Sequence, residues 1–467
     1  MKITSTPTTT LTRLYSLYRV YFFRFNLLFF LFLMTVAETI ASVPLINGGM
    51  NTGTLSNSSV QHSYTFSSNI GENVQLRIVD INATTFIPRI TLYAPNGAYI
   101  TYGQGTNVGA ISYKATQAGV YTVVVSDISN NNNLMSHYNL YFVHMPGANE
   151  GGSLINAGMI TETIDKGDLD SYTFSANAGE NVQIRITDIN GTAFIPRITL
   201  YDPNGAYVTY GQGTNVGAIS YKTTLTGIYT VVVSDISSGY ASTGDYNVYF
   251  VHMPGANEGG SLINGGIITE TIDKGDLDSY TFSANAGENV QIRITDINGT
   301  PFIPRITLYD PNGAYVTYGQ GTNVGAISYK TTQAGIYTVV VSDISSGYAS
   351  TGDYNVYFVH MPGANEGGNL SPGNTVYDTI DLGDLDSYTI TVLAGQYIQI
   401  RITDINNTTL IPRITLYDPN GAYVTYGQGT ITGVISNTAT MSGTYTVVVS
   451  DISSGYASMG NYSLAFE

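Results

Sequence analysis

The sequence of 467 residues predicts an all-β protein with four tandem β-sandwich domains in a row, after an N-terminal signal or anchor segment. Three observations lead to this prediction. The chain is rich in strand-forming residues, including 38 tyrosines. One long pattern recurs four times along the chain. Each copy contains short alternating apolar and polar segments, separated by turns that contain proline and glycine.

The N-terminal segment differs from the rest of the chain. Lys2, Arg13, Arg19 and Arg24 precede an apolar run over residues 27–37. This run fits a secretory signal and is shorter than the ~20 residues that span a bilayer. We therefore expect residues 1–42 to be a cleaved signal peptide, with an uncleaved N-terminal anchor as the alternative. Either case predicts an extracellular or cell-surface location, with membrane contact only through this segment if it is uncleaved.

The recurring pattern fixes the domain organisation. The motif Ser-Tyr-Thr-Phe at residues 63–66 returns at 171–174 and 279–282, and as Ser-Tyr-Thr-Ile at 387–390, a constant step of 108 residues. A unit of this length can bury its own core. We therefore predict four repeats, each a domain: residues 43–148, 149–256, 257–364 and 365–467. Short segments rich in Pro and Gly link successive repeats.

The second repeat shows the strand pattern most clearly. Residues 182–187 alternate apolar and polar, so that Val182, Ile184 and Ile186 are expected to face a core. A turn with the sequence Asp-Pro-Asn-Gly follows at 202–205. Further segments of this kind give seven or eight short strands at the spacing typical of a β-sandwich.

Charge and composition exclude several functions. The formal net charge of -16 opposes binding to a phosphate backbone, so we expect no nucleic-acid partner. Cysteine is absent, which excludes disulfides and thiol nucleophiles. No Gly-x-Ser-x-Gly motif occurs, and no pattern assembles a nucleophile, a base and oxyanion donors. We therefore predict that the protein is not an enzyme.

Acidic residues cluster near the start of the second repeat. Asp165 and Asp168 flank a two-residue turn, and Asp168 and Asp170 would share one face of an extended strand. Crowded carboxylates repel one another unless a hard cation such as calcium lies among them. The alternative is a solvated turn without a metal. The third and fourth repeats keep the aspartates, as Asp273, Asp276, Asp278, Asp381, Asp384 and Asp386. The first repeat has Asn57, Val60 and His62 there, and we expect it to lack the site.

Tyrosines form a second candidate site. Tyr207, Tyr210 and Tyr221 surround the segment Gly-Gln-Gly at residues 211–213. Exposed tyrosines can stack on sugars or pack against a protein ligand. Alternatively, these side chains only fill strands and sandwich edges.

The order and spacing of several motifs resemble those of the bacterial pre-peptidase C-terminal domain family. They are Asn-Glu at 149–150, Gly-Asp-Leu-Asp-Ser-Tyr-Thr-Phe at 167–174, Ala-Gly-Glu at 178–180 and Leu-Tyr-Asp-Pro-Asn-Gly at 200–205. The repeats also resemble the related collagen-binding modules of clostridial collagenases. The resemblance implies a secreted, jelly-roll-like β-sandwich. It also implies calcium ligands at Glu150, Asp168 and Asp170, with Glu258 and Glu366 as the counterparts of Glu150.

These features predict a non-enzymatic secreted or cell-surface repeat protein. It would act as an adhesin, a matrix component or a structural surface component through multivalent weak binding. The alternative is a carbohydrate- or protein-binding accessory chain that works with a separate secreted hydrolase. The expected partner is an extracellular glycan or protein, or another copy of the same chain.

Overall fold

The computed structural model describes residues 42–82, 85–129 and 135–467, and this part of the chain is dominated by β-strands. The prediction of an all-β fold is confirmed. The predicted signal or anchor segment lies outside the described residues, except for Ser42. Among the described residues, no helix is long and apolar enough to cross a membrane.

The strands follow the same order in each repeat. The first repeat contains β1 (Val43–Pro44), β2 (Gly49–Leu55), β3 (His62–Ser68), β4 (Asn73–Asp80), β5 (Pro88–Tyr93), β6 (Tyr99–Gln104), β7 (Val108–Lys114), β8 (Gly119–Asp127) and β9 (Ser136–Met145). The second contains β10 (Gly158–Ile164), β11 (Leu169–Ala176), β12 (Asn181–Asp188), β13 (Pro196–Tyr201), β14 (Tyr207–Gln212), β15 (Val216–Lys222), β16 (Gly227–Asp235) and β17 (Gly244–Met253).

The third repeat contains β18 (Gly266–Ile272), β19 (Leu277–Ala284), β20 (Asn289–Asp296), β21 (Pro304–Tyr309), β22 (Tyr315–Gln320), β23 (Val324–Lys330), β24 (Gly335–Asp343) and β25 (Gly352–Met361). The fourth contains β26 (Thr375–Ile380), β27 (Leu385–Val392), β28 (Tyr397–Asp404), β29 (Pro412–Tyr417), β30 (Tyr423–Gln428), β31 (Thr432–Thr438), β32 (Gly443–Asp451) and β33 (Gly460–Phe466). Short 3₁₀ turns lie at Ser238–Tyr240, Ser346–Tyr348 and Ser454–Tyr456.

Each repeat forms two sheets that enclose a hydrophobic core. In the second repeat, the back sheet has the strand order β10-β17-β12-β15 and the front sheet has the order β11-β16-β13-β14. All strand pairs within these two sheets are antiparallel. The back sheets of the other repeats are β2-β9-β4-β7, β18-β25-β20-β23 and β26-β33-β28-β31, and their front sheets are β1-β3-β8-β5-β6, β19-β24-β21-β22 and β27-β32-β29-β30. The domain boundaries at residues 148, 256 and 364 stay predictions, because independent folding of each repeat is untested.

The core of each repeat follows from the alternating pattern of its strands. Val182, Ile184 and Ile186 on β12 are fully buried between the two sheets, as the sequence predicts. The Tyr229 ring lies in the same core, and its hydroxyl donates a hydrogen bond of 2.8 Å to the carbonyl oxygen of Leu225. This bond ties the loop before β16 to the strand itself.

The outer faces of the sheets are covered where two repeats meet. The back sheet of each repeat packs against the front sheet of the next, and apolar side chains from both sheets form one cluster. At the first junction, Val143 on β9 packs in one cluster with Leu169 on β11 and Val232 on β16. The second and third junctions repeat this arrangement. Successive repeats are therefore packed together as well as linked.

A buried arginine completes each junction. The guanidinium of Arg77 on β4 donates hydrogen bonds to the carbonyl oxygens of Asp168 (3.1 Å) and Asp235 (3.3 Å), and it lies 4.2 Å from the ring centroid of Tyr240. Burial lowers the pKa of Arg77 to about 10, while the neighbouring Tyr240 and the Asp235 carboxylate oppose this shift. Arg185 and Arg293 make the same contacts at the next two junctions.

We predict that Arg185→Ala destabilises the chain by about 2–4 kcal/mol, because it removes two charge-assisted hydrogen bonds and leaves buried carbonyl groups unpaired. Arg401, at the equivalent position of the fourth repeat, instead pairs with Glu467 at a partly exposed site. Arg401→Ala should therefore cost less stability than Arg185→Ala, because solvent screens an exposed ion pair. Denaturant unfolding of both variants measures this difference. Equal losses of stability would contradict the role of the arginine in the junction.

Candidate functional site

The turn before β11 positions the acidic residues of the second repeat. The amide of Asp168 donates a hydrogen bond of 3.1 Å to the carbonyl oxygen of Asp165, which closes the turn. Gly167 has a φ of +72°, and a Cβ there would lie 2.3 Å from the Val79 side chain of the preceding repeat. Glycine is therefore required by both the backbone conformation and the neighbouring repeat.

Three carboxylates meet at the start of the second repeat. Glu150, Asp168 and Asp170 each offer an oxygen, and these oxygens all lie within 4.8 Å of one another. Glu258, Asp276 and Asp278 form the same group in the third repeat. We call these groups the acidic triads, and they are the two potential metal-binding groups within the described residues.

The other predicted metal ligands take different positions. Asp165, Asp273 and Asp381 are exposed at the turn and lie outside the triads. In the fourth repeat, Asp384 and Glu366 are near enough to Asp386 to raise its pKa. The structure therefore brings together the residues that the family resemblance implied, and it leaves the aspartate inferred from the turn alone at the surface.

Burial and mutual repulsion oppose full ionisation of the triad. Burial, followed by the charge of Asp168, raises the pKa of Asp170 to about 8, although a 2.5 Å hydrogen bond donated by the Tyr246 hydroxyl acts in the other direction. Burial raises the pKa of Glu150 to about 7 and that of Asp168 to about 6. The folded triad thus favours a bound proton or a cation among its oxygens.

The first repeat replaces the triad with a different polar contact. His62 occupies the position of Asp170, and its Nδ1 lies 2.6 Å from the hydroxyl of Tyr138, the counterpart of Tyr246. Burial lowers the pKa of His62, which favours its neutral form. The buried hydroxyl of Tyr138 therefore has His62 as its polar partner, where Tyr246 of the second repeat has the carboxylate of Asp170.

The triad lies at the junction between two repeats. Tyr141 belongs to the back sheet of the first repeat, and its pKa is raised to about 12, first by burial and next by the charge of Asp168 in the second repeat. The backbone carbonyl of Asp168 also accepts the hydrogen bond from Arg77. An ion bound at the triad would therefore contact the part of the second repeat that faces the first.

The three predicted ligand-binding tyrosines do not form one cluster. Tyr207 and Tyr210 lie on edge strand β14 and are each about half exposed, at 51% and 46%. The guanidinium of Arg197 lies 4.1 Å from the ring centroid of Tyr210. Tyr221 lies on β15 of the other sheet and packs against the core. Of the three, Tyr207 lines a cavity.

That cavity is a groove between the first two repeats, and equivalent grooves lie at the other two junctions. Their volumes are about 520, 670 and 330 Å³ in chain order. Arg77 from the first repeat and Arg197, Tyr207 and Tyr240 from the second line the first groove. The sequence analysis did not identify these arginines as site residues. The pattern that could have indicated them is an arginine at the same strand position in every repeat.

Comparison with known proteins identifies part of the chain. Residues 168–235 and 276–343 match the family model of the bacterial pre-peptidase C-terminal domain. These segments lie in the second and third repeats, and for them the match confirms the resemblance identified from the sequence. No curated protein matches the chain.

Several solved structures also match one repeat's length of the chain. The pre-peptidase C-terminal domain of a Bacillus anthracis collagenase is 18% identical, covering 22% of this chain and 93% of that one, with a TM-score of 0.19. PliG of Aeromonas hydrophila, a periplasmic inhibitor of g-type lysozyme, is 13% identical and covers 21% and 85%, with a TM-score of 0.18. PliG of Salmonella Typhimurium is 16% identical and covers 22% and 96%, with a TM-score of 0.17.

The raised pKa values predict that the metal-free chain gains stability as the pH falls from about 8 to about 5. The triad carboxyl groups take up protons at a higher pH in the folded chain than in the unfolded chain, where their pKa values lie near 4. Thermal melts in EDTA across this range measure the effect. The combined replacements Asp170→Asn, Asp278→Asn and Asp386→Asn should make the melting temperature depend less on pH. A wild-type stability that rises with pH over this range would refute the prediction.

Proposed function

We propose that this chain, which carries two tandem copies of the bacterial pre-peptidase C-terminal domain, is a non-enzymatic secreted or cell-surface repeat protein. It acts as an adhesin, a matrix component or a structural surface component through multivalent weak binding. One observation carries this proposal: successive junctions present the same groove in the same setting along one chain. A protein that repeats one surface several times gains most from binding a repetitive partner.

The packing of the repeats supports multivalency. Outer-face clusters and buried arginines restrict rotation between neighbours, so the spacing of the grooves is set by the fold. Simultaneous engagement of evenly spaced sites can raise the overall affinity about 100-fold or more above that of one site, provided that the geometry of the partner matches. Weak individual sites are then sufficient for stable attachment.

A second candidate function is favoured by the exposed tyrosines. Tyr207 lines the first groove and is half exposed, as expected of a side chain that stacks on a sugar ring. An accessory chain that holds carbohydrate for a separate secreted hydrolase would use such a surface. This role differs from the first in requiring a soluble or insoluble glycan rather than another copy of the chain.

Two measurements on residues 43–467 separate these functions. For the adhesin or matrix role, we expect concentration-dependent self-association in sedimentation experiments without added ligand. For the accessory role, we expect a monomer that binds members of a glycan array. Turnover of a polysaccharide or peptide substrate by the purified chain would contradict both functions, because each is non-catalytic.

We further propose that calcium binds at the acidic triads. Carboxylate oxygens are preferred ligands of this ion, and each triad holds three of them in a partly buried setting. Burial, followed by the charge of Asp168, raises the pKa of Glu150 to about 7 and that of Asp170 to about 8. A cation would remove this repulsion. By chain position, Glu366, Asp384 and Asp386 would form the corresponding site in the fourth repeat.

Calcium binding should be weak, with a Kd of about 10⁻⁴–10⁻³ M, as for other extracellular modules. At 1 mM calcium and a Kd of ~10⁻⁴ M, each occupied repeat gains about 1.4 kcal/mol of stability. The double variant Asp168→Asn, Asp170→Asn should remove one equivalent of bound calcium in equilibrium dialysis.

Asp165→Asn is the matched control, because Asp165 is acidic and exposed but lies outside the triad. It should leave the number of bound calcium ions unchanged. Loss of an ion in this control would place Asp165 among the ligands. Unchanged calcium binding in the double variant would instead leave the acidic residues as a solvated turn.

A further inference from the structure

We propose that each groove between consecutive repeats binds the anionic group of an acidic saccharide, a carboxylate or a sulfate, between two arginines contributed by different repeats. This inference rests on the carbohydrate-binding role proposed above and names its ligand class and its site. The arginine pairs are Arg77 with Arg197, Arg185 with Arg305, and Arg293 with Arg413.

The three grooves share one lining. The same eleven chain positions, with the same residue types, line the first and third grooves, and all of them also line the second. The third groove is formed partly by the fourth repeat, whose sequence differs at many other positions from the second. Part of this lining belongs to the junction contacts, as for Arg77 and Tyr240, whereas Arg197 and its counterparts make no hydrogen bond there with a described residue.

The charge of the grooves is opposite to that of the chain. The formal net charge is -16, yet no aspartate or glutamate lines any of the three grooves. The two guanidinium groups are close enough that Arg197 lowers the pKa of Arg77. Like charges held together in a polar groove create a local preference for an anion.

In each pair, the arginine of the later repeat can donate hydrogen bonds to a ligand, whereas the other arginine already donates to backbone carbonyls. Arg77 is engaged with two backbone carbonyls, and the nearby Asp235 carboxylate accepts hydrogen bonds from Ile195, Ser237 and Ser242. Arg197 instead has the Tyr210 ring as its contact and forms no ion pair or hydrogen bond with any described residue. Its planar guanidinium can therefore form a two-point contact with a carboxylate or sulfate.

The remaining lining suits a sugar ring better than an isolated anion. Tyr207 presents a half-exposed ring. Asn73 and Gln75 of the first repeat also line the groove, and their amide nitrogens donate hydrogen bonds of 2.7 Å to the carbonyl oxygen of Gly205 and to the hydroxyl of Tyr201. Amide and hydroxyl groups can hydrogen-bond sugar hydroxyls while the tyrosine stacks on the ring. The groove volumes of about 330–670 Å³ are in the usual range for small-ligand sites.

The test is calorimetric titration of residues 43–467 with a tetramer of galacturonic acid, with a sulfated galactose tetramer as the second anionic probe. We expect about three binding sites per chain for at least one of these probes. Combined Arg197→Gln, Arg305→Gln and Arg413→Gln should weaken binding about ten- to hundred-fold. The corresponding lysine variants should recover part of the affinity, since they keep the positive charge.

Arg89→Gln is the matched control. Arg89 is the first-repeat counterpart of Arg197 and also stacks on a tyrosine, with 4.2 Å to the Tyr102 ring centroid, but it lines none of the three grooves. This variant should bind like the wild type. A loss in Arg89→Gln equal to that of the triple variant would overturn the assignment to the grooves.

Other outcomes would also overturn the inference. One is that a neutral galactose tetramer or hexaglutamate binds as tightly as the anionic saccharide probes. Another is that neither anionic saccharide probe binds. If self-association or binding to another glycan persists in these cases, the proposed function stands and only the ligand class and site fail. If every form of binding is absent, the proposed function fails as well.

Discussion

The contact between the back sheet of one repeat and the front sheet of the next is the interaction on which the rest of this structure depends. It buries side chains such as Val143 and Val232, which would otherwise form apolar patches on open sheet faces. The contact also buries backbone carbonyl groups, which need hydrogen-bond donors. Arg77 donates hydrogen bonds to two of these carbonyls in the next repeat and stacks on the ring of Tyr240.

Both candidate sites are products of this contact. The turn that carries the acidic triad packs against the preceding repeat through Gly167, which leaves no space for a side chain beside Val79. Each groove is lined by residues of two consecutive repeats, so it exists only where the repeats meet. A single isolated repeat would therefore present neither complete grooves nor the same burial of its carboxylates.

Much of the fold could be predicted from the sequence, because the alternation of apolar and polar residues along a strand indicates which side chains are buried inside one repeat. Val182, Ile184 and Ile186 lie in the core as their spacing indicates. The same alternation could not show that Arg185, on the opposite face, is buried, because its hydrogen-bond partners in the next repeat are 91 and 158 positions away. Asp168 and Asp170 could be identified from the turn and the family motif. The position of Asp165 outside the triad depends on how that turn packs.

Fixed packing between repeats can be measured most directly as a distance. The chain contains no cysteine, so two introduced by Thr161→Cys and Thr269→Cys would place spin labels at equivalent exposed positions of the second and third repeats. Pulsed electron spin resonance should then give one narrow distance distribution in the full chain, and Arg185→Ala should broaden it. A broad distribution in the wild-type chain would show that the repeats move independently, and would contradict the account of both sites.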